Sequence, residues 1–239
     1  MIVWLASYPR SGNTFFRLLL HHQYGVKTYS LYNDPLFDQI GAADAIGHER
    51  LPAPLPELEA DGKIHFVKTH DLPLDDKPAI YLVRDGRDSV VSFARYLRSF
   101  TRPRGRWGKL ANFVRERILG QILFQRTLKE VIVKSHRFGG WSENVFGWLR
   151  QPVGRTALVR YEDLVADPVG VLRKAIAELH IGLKPISNHV PSFEELHAQW
   201  PTFFRKGQVG AWREEMPDRL QRLFWEKHGD AMRQLGYAA

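Results

Sequence analysis

Ile2-Val3-Trp4-Leu5-Ala6-Ser7-Tyr8-Pro9-Arg10-Ser11-Gly12-Asn13-Thr14-Phe15-Phe16-Arg17-Leu18-Leu19-Leu20 opens the chain. Ile2 to Ala6 reads as a short buried strand. Ser7 to Thr14 reads as a tight turn, and the apolar run after it as the first turns of a helix. Such a junction aims backbone N–H groups and the positive end of a helix dipole at one spot, which suits a phosphate. Arg10 adds a permanent charge, Ser11 and Thr14 add hydroxyl donors, and Gly12 lets a ligand approach the backbone. The same residues also suit an ordinary strand-to-helix turn. The loop is not a Walker A sequence, because no Gly starts it and Asn13, not Lys, follows Gly12.

Three further apolar runs have the character of buried parallel strands: Ile64 to Lys68, Ala79 to Val83 and Thr156 to Arg160. Helical patterns follow them. Asp88 to Phe100 places Val90, Val91, Ala94 and Leu97 on one face. Ser142 suits the cap of a helix carrying Val145, Trp148 and Leu149. Asp167-Pro168 is a cap followed by Pro at the first helical position, with Gly182 closing that helix. Pro217 to Leu235 forms a last helix stopped at Gly236. Strands alternating with helices predict an α/β fold: a single P-loop-like domain over residues 1–239, its parallel β-sheet flanked by helices. Ligands of such folds sit at the carboxyl ends of the strands. Residues 33–63, with four prolines, and 185–210 read as surface loops.

The 239 residues suffice for one domain with a full core, and an apolar content of 44% is ordinary for a globular chain. With no cysteine, disulfides, thiolate catalysis and cysteine-ligated metals are excluded. His21 and His22 are neighbours on different sides of a helix, and no metal site is predicted. No apolar run is long enough to span a bilayer or to serve as a signal peptide, so a cytoplasmic protein is expected. The net charge of +8 is local: residues 95–136 hold eleven Arg or Lys against two Glu, leaving the rest at −1. This basic helical segment reads either as a solvated helix or as a lid attracting an anionic substrate, carrier or membrane surface. No specific nucleic-acid partner is expected, though salt-sensitive retention on polyanions would argue for one.

Three more constellations fall at predicted strand ends or loops. Lys68-Thr69-His70 ends the second strand, and a His there can act as a general base, although a lone His is more often structural. Arg84-Asp85-Gly86-Arg87-Asp88 ends the third, with Ser92 one turn further along. Arg84 and Ser92 could hold a second phosphate, or the segment could be a surface Arg-Asp network. Phe203-Phe204-Arg205-Lys206-Gly207-Gln208-Val209-Gly210-Ala211-Trp212 combines cations, glycines and aromatics in a way that suits a phosphate plus a flat base, or equally a basic surface loop.

Taken together, and in this order, these segments resemble the sulfotransferases that use 3′-phosphoadenosine 5′-phosphosulfate (PAPS). Tyr8 to Thr14 resembles their 5′-phosphosulfate loop, and Tyr81 to Asp88 with Ser92 their 3′-phosphate segment. Lys68-Thr69-His70 is similar to the K-T-H that carries their catalytic base. Phe204-Arg205-Lys206-Gly207 with Gly210 and Trp212 resembles their R-K-G-x-x-G-D-W loop. Gly139 to Val145 with Trp148 resembles G-S-W-x-x-H-V, and Tyr161-Glu162-Asp163 matches a Y-E-D after a core strand.

The resemblance implies that Arg10, Ser11, Gly12, Asn13 and Thr14 hold the 5′-phosphosulfate. It implies that Phe15, Tyr161 and Phe204 lie near the adenine, and that Arg84, Ser92, Arg205, Lys206 and Gly207 hold the 3′-phosphate. Lys68 then touches the transferring group and His70 takes the acceptor's proton, with Arg10 helping to stabilise the leaving phosphate. The implied reaction is in-line sulfuryl transfer to a hydroxyl or amine of a small-molecule or glycan acceptor, leaving 3′-phosphoadenosine 5′-phosphate (PAP), with no metal. Three positions depart from the family pattern: Arg10 replaces a common Lys, Asn144 a His, and Ala211 the Asp of the closing loop. No dimerisation motif is present, so no oligomeric state carries over. Two alternatives stand beside this reading. A P-loop kinase lacks its Lys after Gly12, and a non-catalytic nucleotide-binding module would not need Lys68-Thr69-His70.

Overall fold

β1 (Ile2–Ser7) lies in the middle of a five-stranded, all-parallel sheet of order β2-β3-β1-β4-β5 in this computed structural model. Its neighbours are β3 (His65–Thr69) and β4 (Ala79–Val83); β2 (Thr28–Ser30) and β5 (Thr156–Arg160) complete the sheet. The structure describes residues 1–32, 41–100, 106–152, 155–187, 191, 195–196, 198 and 209–239, and only the backbone of residues 100 and 106–118. β1, β3 and β4 are buried along their whole length, which is why Ile2 to Ala6 and Ala79 to Val83 run apolar without alternation, whereas β3 also buries His65, Lys68 and Thr69. The four expected strands form within a residue of their predicted ends. The three-residue β2 was not expected; it pairs with β3 through Thr28↔Phe66 and Ser30↔Lys68.

The chain divides into two compact units, residues 1–84 with 147–209 and residues 85–146 with 210–239. The first holds the sheet. α1 (Asn13–Tyr24), α7 (Tyr161–Ala166) and α8 (Pro168–Glu178) bury Phe16, Leu19, Leu164, Leu172 and Ile176 in one core with Val3, Leu5, Ile80, Leu82 and Val159. Burying each such side chain contributes roughly 1.5–3 kcal/mol. α8 starts as read: Asp167 accepts a hydrogen bond from Gly170 N at 2.9 Å and Pro168 occupies the first turn. It stops at Glu178, short of Gly182. Residues 33–63, expected as loop, include the short helices α2 (Ala43–Ile46) and α3 (Leu55–Ala60), anchored by buried Ile46 and Leu58.

The second unit is helical. It comprises α4 (Gly86–Phe100), α5 (Arg106–Val133), the first turns of α6 (Trp141–Leu149), α9 (Trp212–Glu215) and α10 (Asp218–Gln234). α4 and α10 both pack on α5. Trp141 and Phe224 meet at 5.8 Å between ring centres in this core. Much of the basic stretch 95–136 is thus the long helix α5. Among the described residues, no helix is long and apolar enough to cross a membrane.

Candidate functional site

All five strands run parallel, so their carboxyl ends share one edge of the sheet. The register aligns Ala6 with Thr69, Ser7 with Leu82 and Val83 with Arg160. Arg10, Gly12, His70, Arg84 and Tyr161 therefore all leave the sheet-bearing unit at the same edge, from four different strands.

The turn after β1 has the form of an anion cradle. Gly12 caps α1 with φ at +96°, and no side chain caps that end. The opening N–H groups of a helix have no intrahelical partner, so they point out of it as donors. A Cβ at Gly12 would lie 2.5 Å from Cδ2 of Tyr161, so glycine is required there by backbone and by space. Arg10 adopts φ of +70°, a left-handed conformation uncommon outside glycine and concentrated at functional sites. The Arg84 guanidinium sits 4.6 Å from the Tyr161 ring centre, and its Nη1 donates to the Arg10 carbonyl at 3.4 Å. A cation, an aromatic face and a helix start thus meet around Gly12. Ser11 is buried and Thr14 half-buried.

Asn13 stitches the cradle to the strand. Its Nδ2 donates to the Leu5 carbonyl at 2.8 Å and to Ser7 Oγ at 3.2 Å. Its Oδ1 is buried with no partner among the described residues. Ser7 in turn meets His70. Nδ1 of that imidazole lies 2.8 Å from the Ser7 carbonyl and 3.2 Å from Ser7 Oγ. A carbonyl oxygen only accepts, so Nδ1 carries the hydrogen and the lone pair of the neutral ring resides on Nε2. His70 is therefore two hydrogen bonds from the first residue of α1.

The surroundings of His70 are equally defined. Tyr32 stacks on its ring, with centres 5.5 Å apart and planes 12° apart. Burial pushes the Tyr32 phenol up to about 12, so it remains a neutral O–H. Lys68 is buried at the end of β3, its Nζ 5.8 Å from the Tyr32 ring centre. On the residue after His70, the Trp148 indole N–H donates to the Asp71 carbonyl at 3.1 Å. Trp148 is itself buried and stacked on Tyr81.

In the helical unit, Ser92 is half-buried on α4. The Asp85–Arg87 pair is not the surface network allowed for by the sequence. Both residues are buried, and Arg87 Nε and Nη2 reach the two carboxylate oxygens at 3.0 and 2.8 Å. Arg87 also covers Trp212 at 3.8 Å. Asp88, 2% exposed, accepts from Gly210 N at 2.7 Å and Trp212 N at 2.9 Å. That carboxylate supplies acceptors at the start of α9, where Ala211 has none to offer. Asn144 donates to the Phe138 carbonyl at 3.2 Å and is fully buried, a structural position.

Phe204, Arg205, Lys206 and Gly207 lie outside the described residues. Phe15 belongs to the hydrophobic core, whereas Tyr161 is the aromatic set against the cradle glycine. Reading the sequence missed Ser7, Tyr32 and the part that Asp88 plays. Among the described residues no group of three or more His, Asp or Glu is placed to hold a metal ion.

A family model described as Sulfotransferase domain matches residues 2–236. Sulfotransferase 1E1 of Mus musculus is 26% identical over 263 residues, covering 96% of this chain and 82% of its own length. A WSCD family member of Aedes aegypti is 29% identical over 180 residues, covering 74% of this chain and 49% of its own. Mouse sulfotransferase SULT7A1, solved in complex with PAP, superposes with a TM-score of 0.66 at 20% identity, covering 99% of this chain and 89% of that one. Retinol dehydratase, solved with androsterone and PAP, gives 0.60 at 19% identity, covering 97% and 80%.

Proposed function

Because the chain belongs to the sulfotransferase family, we propose that it transfers a sulfuryl group from PAPS to a hydroxyl or amine acceptor and leaves PAP. The observation that carries this is the hydrogen-bonded chain Asn13–Ser7–His70, which ties the cradle at α1 to an imidazole presenting Nε2 as its basic nitrogen. The residues fit an anionic nucleotide: α1 starts uncapped at a left-handed glycine, and Arg84 is held beside it over Tyr161. When bound, PAPS supplies the sulfuryl group.

In this reading Arg10, Ser11, Gly12, Asn13 and Thr14 hold the 5′-phosphosulfate. Tyr161, with Phe15 and Phe204, serves the adenine, and Arg84, Ser92, Arg205, Lys206 and Gly207 serve the 3′-phosphate. Nε2 of His70 accepts the proton from the acceptor as its oxygen or nitrogen attacks sulfur. Arg10, Lys68 and the first amides of α1 offset the negative charge that develops at the 5′-phosphate side. Residues 1–239 then act as one sulfotransferase domain on a small-molecule or glycan acceptor, and the basic segment 95–136 attracts an anionic substrate, carrier or membrane surface. The solved relatives that hold PAP support the choice of nucleotide. The kinase alternative is disfavoured by Asn13 in the place of the P-loop Lys.

Calorimetric titration tests the nucleotide. PAP is expected to bind at least about tenfold more tightly than adenosine 5′-phosphate, since a charge-assisted 3′-phosphate contact contributes about 1.5–3 kcal/mol. Equal affinities would refute the assignment. In a screen of phenols, sugars, lipids and peptide tyrosines with radiolabelled PAPS, His70→Ala should lower turnover on any acceptor found by about 10²- to 10⁴-fold while PAP affinity is kept.

A further inference from the structure

We infer that Tyr32 is a positioning residue for His70, holding the backbone and the ring of that imidazole so that Nε2 stays the basic nitrogen. The inference rests on His70 being the base of the proposed reaction, and it adds a residue that nothing in the motif pattern assigns.

The contacts converge on one phenol. The Tyr32 oxygen accepts from His70 N at 2.7 Å and from Asp71 N at 3.1 Å. It also meets Thr69 Oγ1 at 3.3 Å, a pair in which either hydroxyl can donate. One oxygen thus gathers the last residue of β3 and the two after it, where the chain turns out of the sheet. The ring of Tyr32 meanwhile stacks on the imidazole at 5.5 Å. At the edge of the imidazole, Ser7 offers its carbonyl to Nδ1.

A His at a strand end has free χ1 and χ2 rotation unless something restricts it. The Ser7 carbonyl selects the Nδ1–H tautomer only if the ring stays in its plane, and the stacked phenol supplies that restriction. Tyr32 comes from the residues just after β2, so the short edge strand has a use. It places an aromatic beside the end of β3, and its pairing with β3 fixes the register at Ser30↔Lys68. Trp148 holds the same segment from Asp71 O, so the backbone around His70 is gripped at donors and acceptors alike.

Tyr32→Phe and Tyr32→Ala, prepared with ¹⁵N label, divide the two contributions. Phe keeps the stacked ring and removes the hydroxyl; Ala removes both. In the unliganded protein, long-range ¹⁵N–¹H correlations read the His70 tautomer and amide exchange reads its backbone. Wild type should show Nδ1–H as the dominant neutral form. Tyr32→Phe should speed exchange of the His70 amide by about tenfold, because that N–H loses the phenol oxygen, and of the Asp71 amide by less, because it keeps Thr69 Oγ1 at 3.1 Å. Tyr32→Ala should in addition shift the ring toward a mixture of tautomers, while amides of α1 keep their protection. An unchanged Nδ1–H population in Tyr32→Ala, or unchanged exchange in Tyr32→Phe, overturns the inference. The ring signals need no nucleotide, so they are decided independently of the PAP titration that decides the functional reading.

Discussion

Replacing Gly12 with alanine asks two things of the cradle at once, and Gly62 allows them to be separated. Gly62 has φ of +75° and would place a Cβ with nothing within 4 Å, so Gly62→Ala meets only the left-handed backbone penalty. That penalty is roughly 1–2 kcal/mol. Gly12, at φ of +96°, incurs a similar cost and in addition drives a methyl group to 2.5 Å from the Tyr161 ring. The ring must move, and with it the seat of the Arg84 guanidinium 4.6 Å away. A cation–π contact of this kind contributes about 0.5–2 kcal/mol. Gly12→Ala should therefore cost about 1.5–4 kcal/mol in all, up to roughly twice the loss in Gly62→Ala. At about 2–4 °C per kcal/mol for a chain of this size, calorimetry resolves the two variants. PAP affinity should fall about 2- to 30-fold in Gly12→Ala and stay within twofold in Gly62→Ala, because only the first disturbs Arg84. If the two variants melt together and both bind PAP as wild type does, Tyr161 does not depend on Gly12 and the account of the cradle is wrong.

Arg84→Ala should weaken PAP far more than adenosine 5′-phosphate in calorimetry; equal losses for the two nucleotides would remove Arg84 from the 3′-phosphate. Asp88→Asn leaves one of the Gly210 and Trp212 amides facing an NH₂ group in a site 2% exposed, at a cost of about 1–3 kcal/mol, and faster exchange of these two amides reports it. His228 is held neutral: burial lowers its pKa to about 4, with Ser142 Oγ at 2.6 Å from Nδ1, Nε2 donating to the Ile132 carbonyl, and Glu143 and Lys227 acting in opposite senses. The unfolded chain takes up this proton near pH 6.5 and the folded one only near 4. Stability is therefore full above about pH 6.5 and lost as pH falls toward 4, by roughly 2 kcal/mol at pH 5. Urea unfolding at pH 7 and pH 5 should show that loss in wild type and less of it in His228→Gln.

The parts of this fold that could be read from the sequence are those whose cause is local. Ile2 to Ala6 and Ala79 to Val83 are apolar on every residue because helices or loops cover both of their faces, and that burial writes itself into composition. Gly12 shows in sequence because one backbone conformation demands it. β2 did not show. Three residues, Thr28–Ser30, carry no period, and only the ladder to β3 makes them a strand. The candidate site divides in the same way. Arg10, Lys68, His70 and Arg84 announce themselves as charged or titratable groups at strand ends. Ser7 and Tyr32 do not, since a serine ending a strand and a tyrosine in a loop have no distinctive pattern. Their meaning comes from contacts 63 and 38 residues away in the chain, made when β3 lies between β1 and β2. The tautomer of His70 is thus a property of the sheet order: moving β3 from between β1 and β2 would separate the carbonyl that orients the imidazole from the phenol that holds it. A motif of three residues can point to a candidate base, but which of its ring nitrogens carries the hydrogen is decided by two strands the motif does not contain.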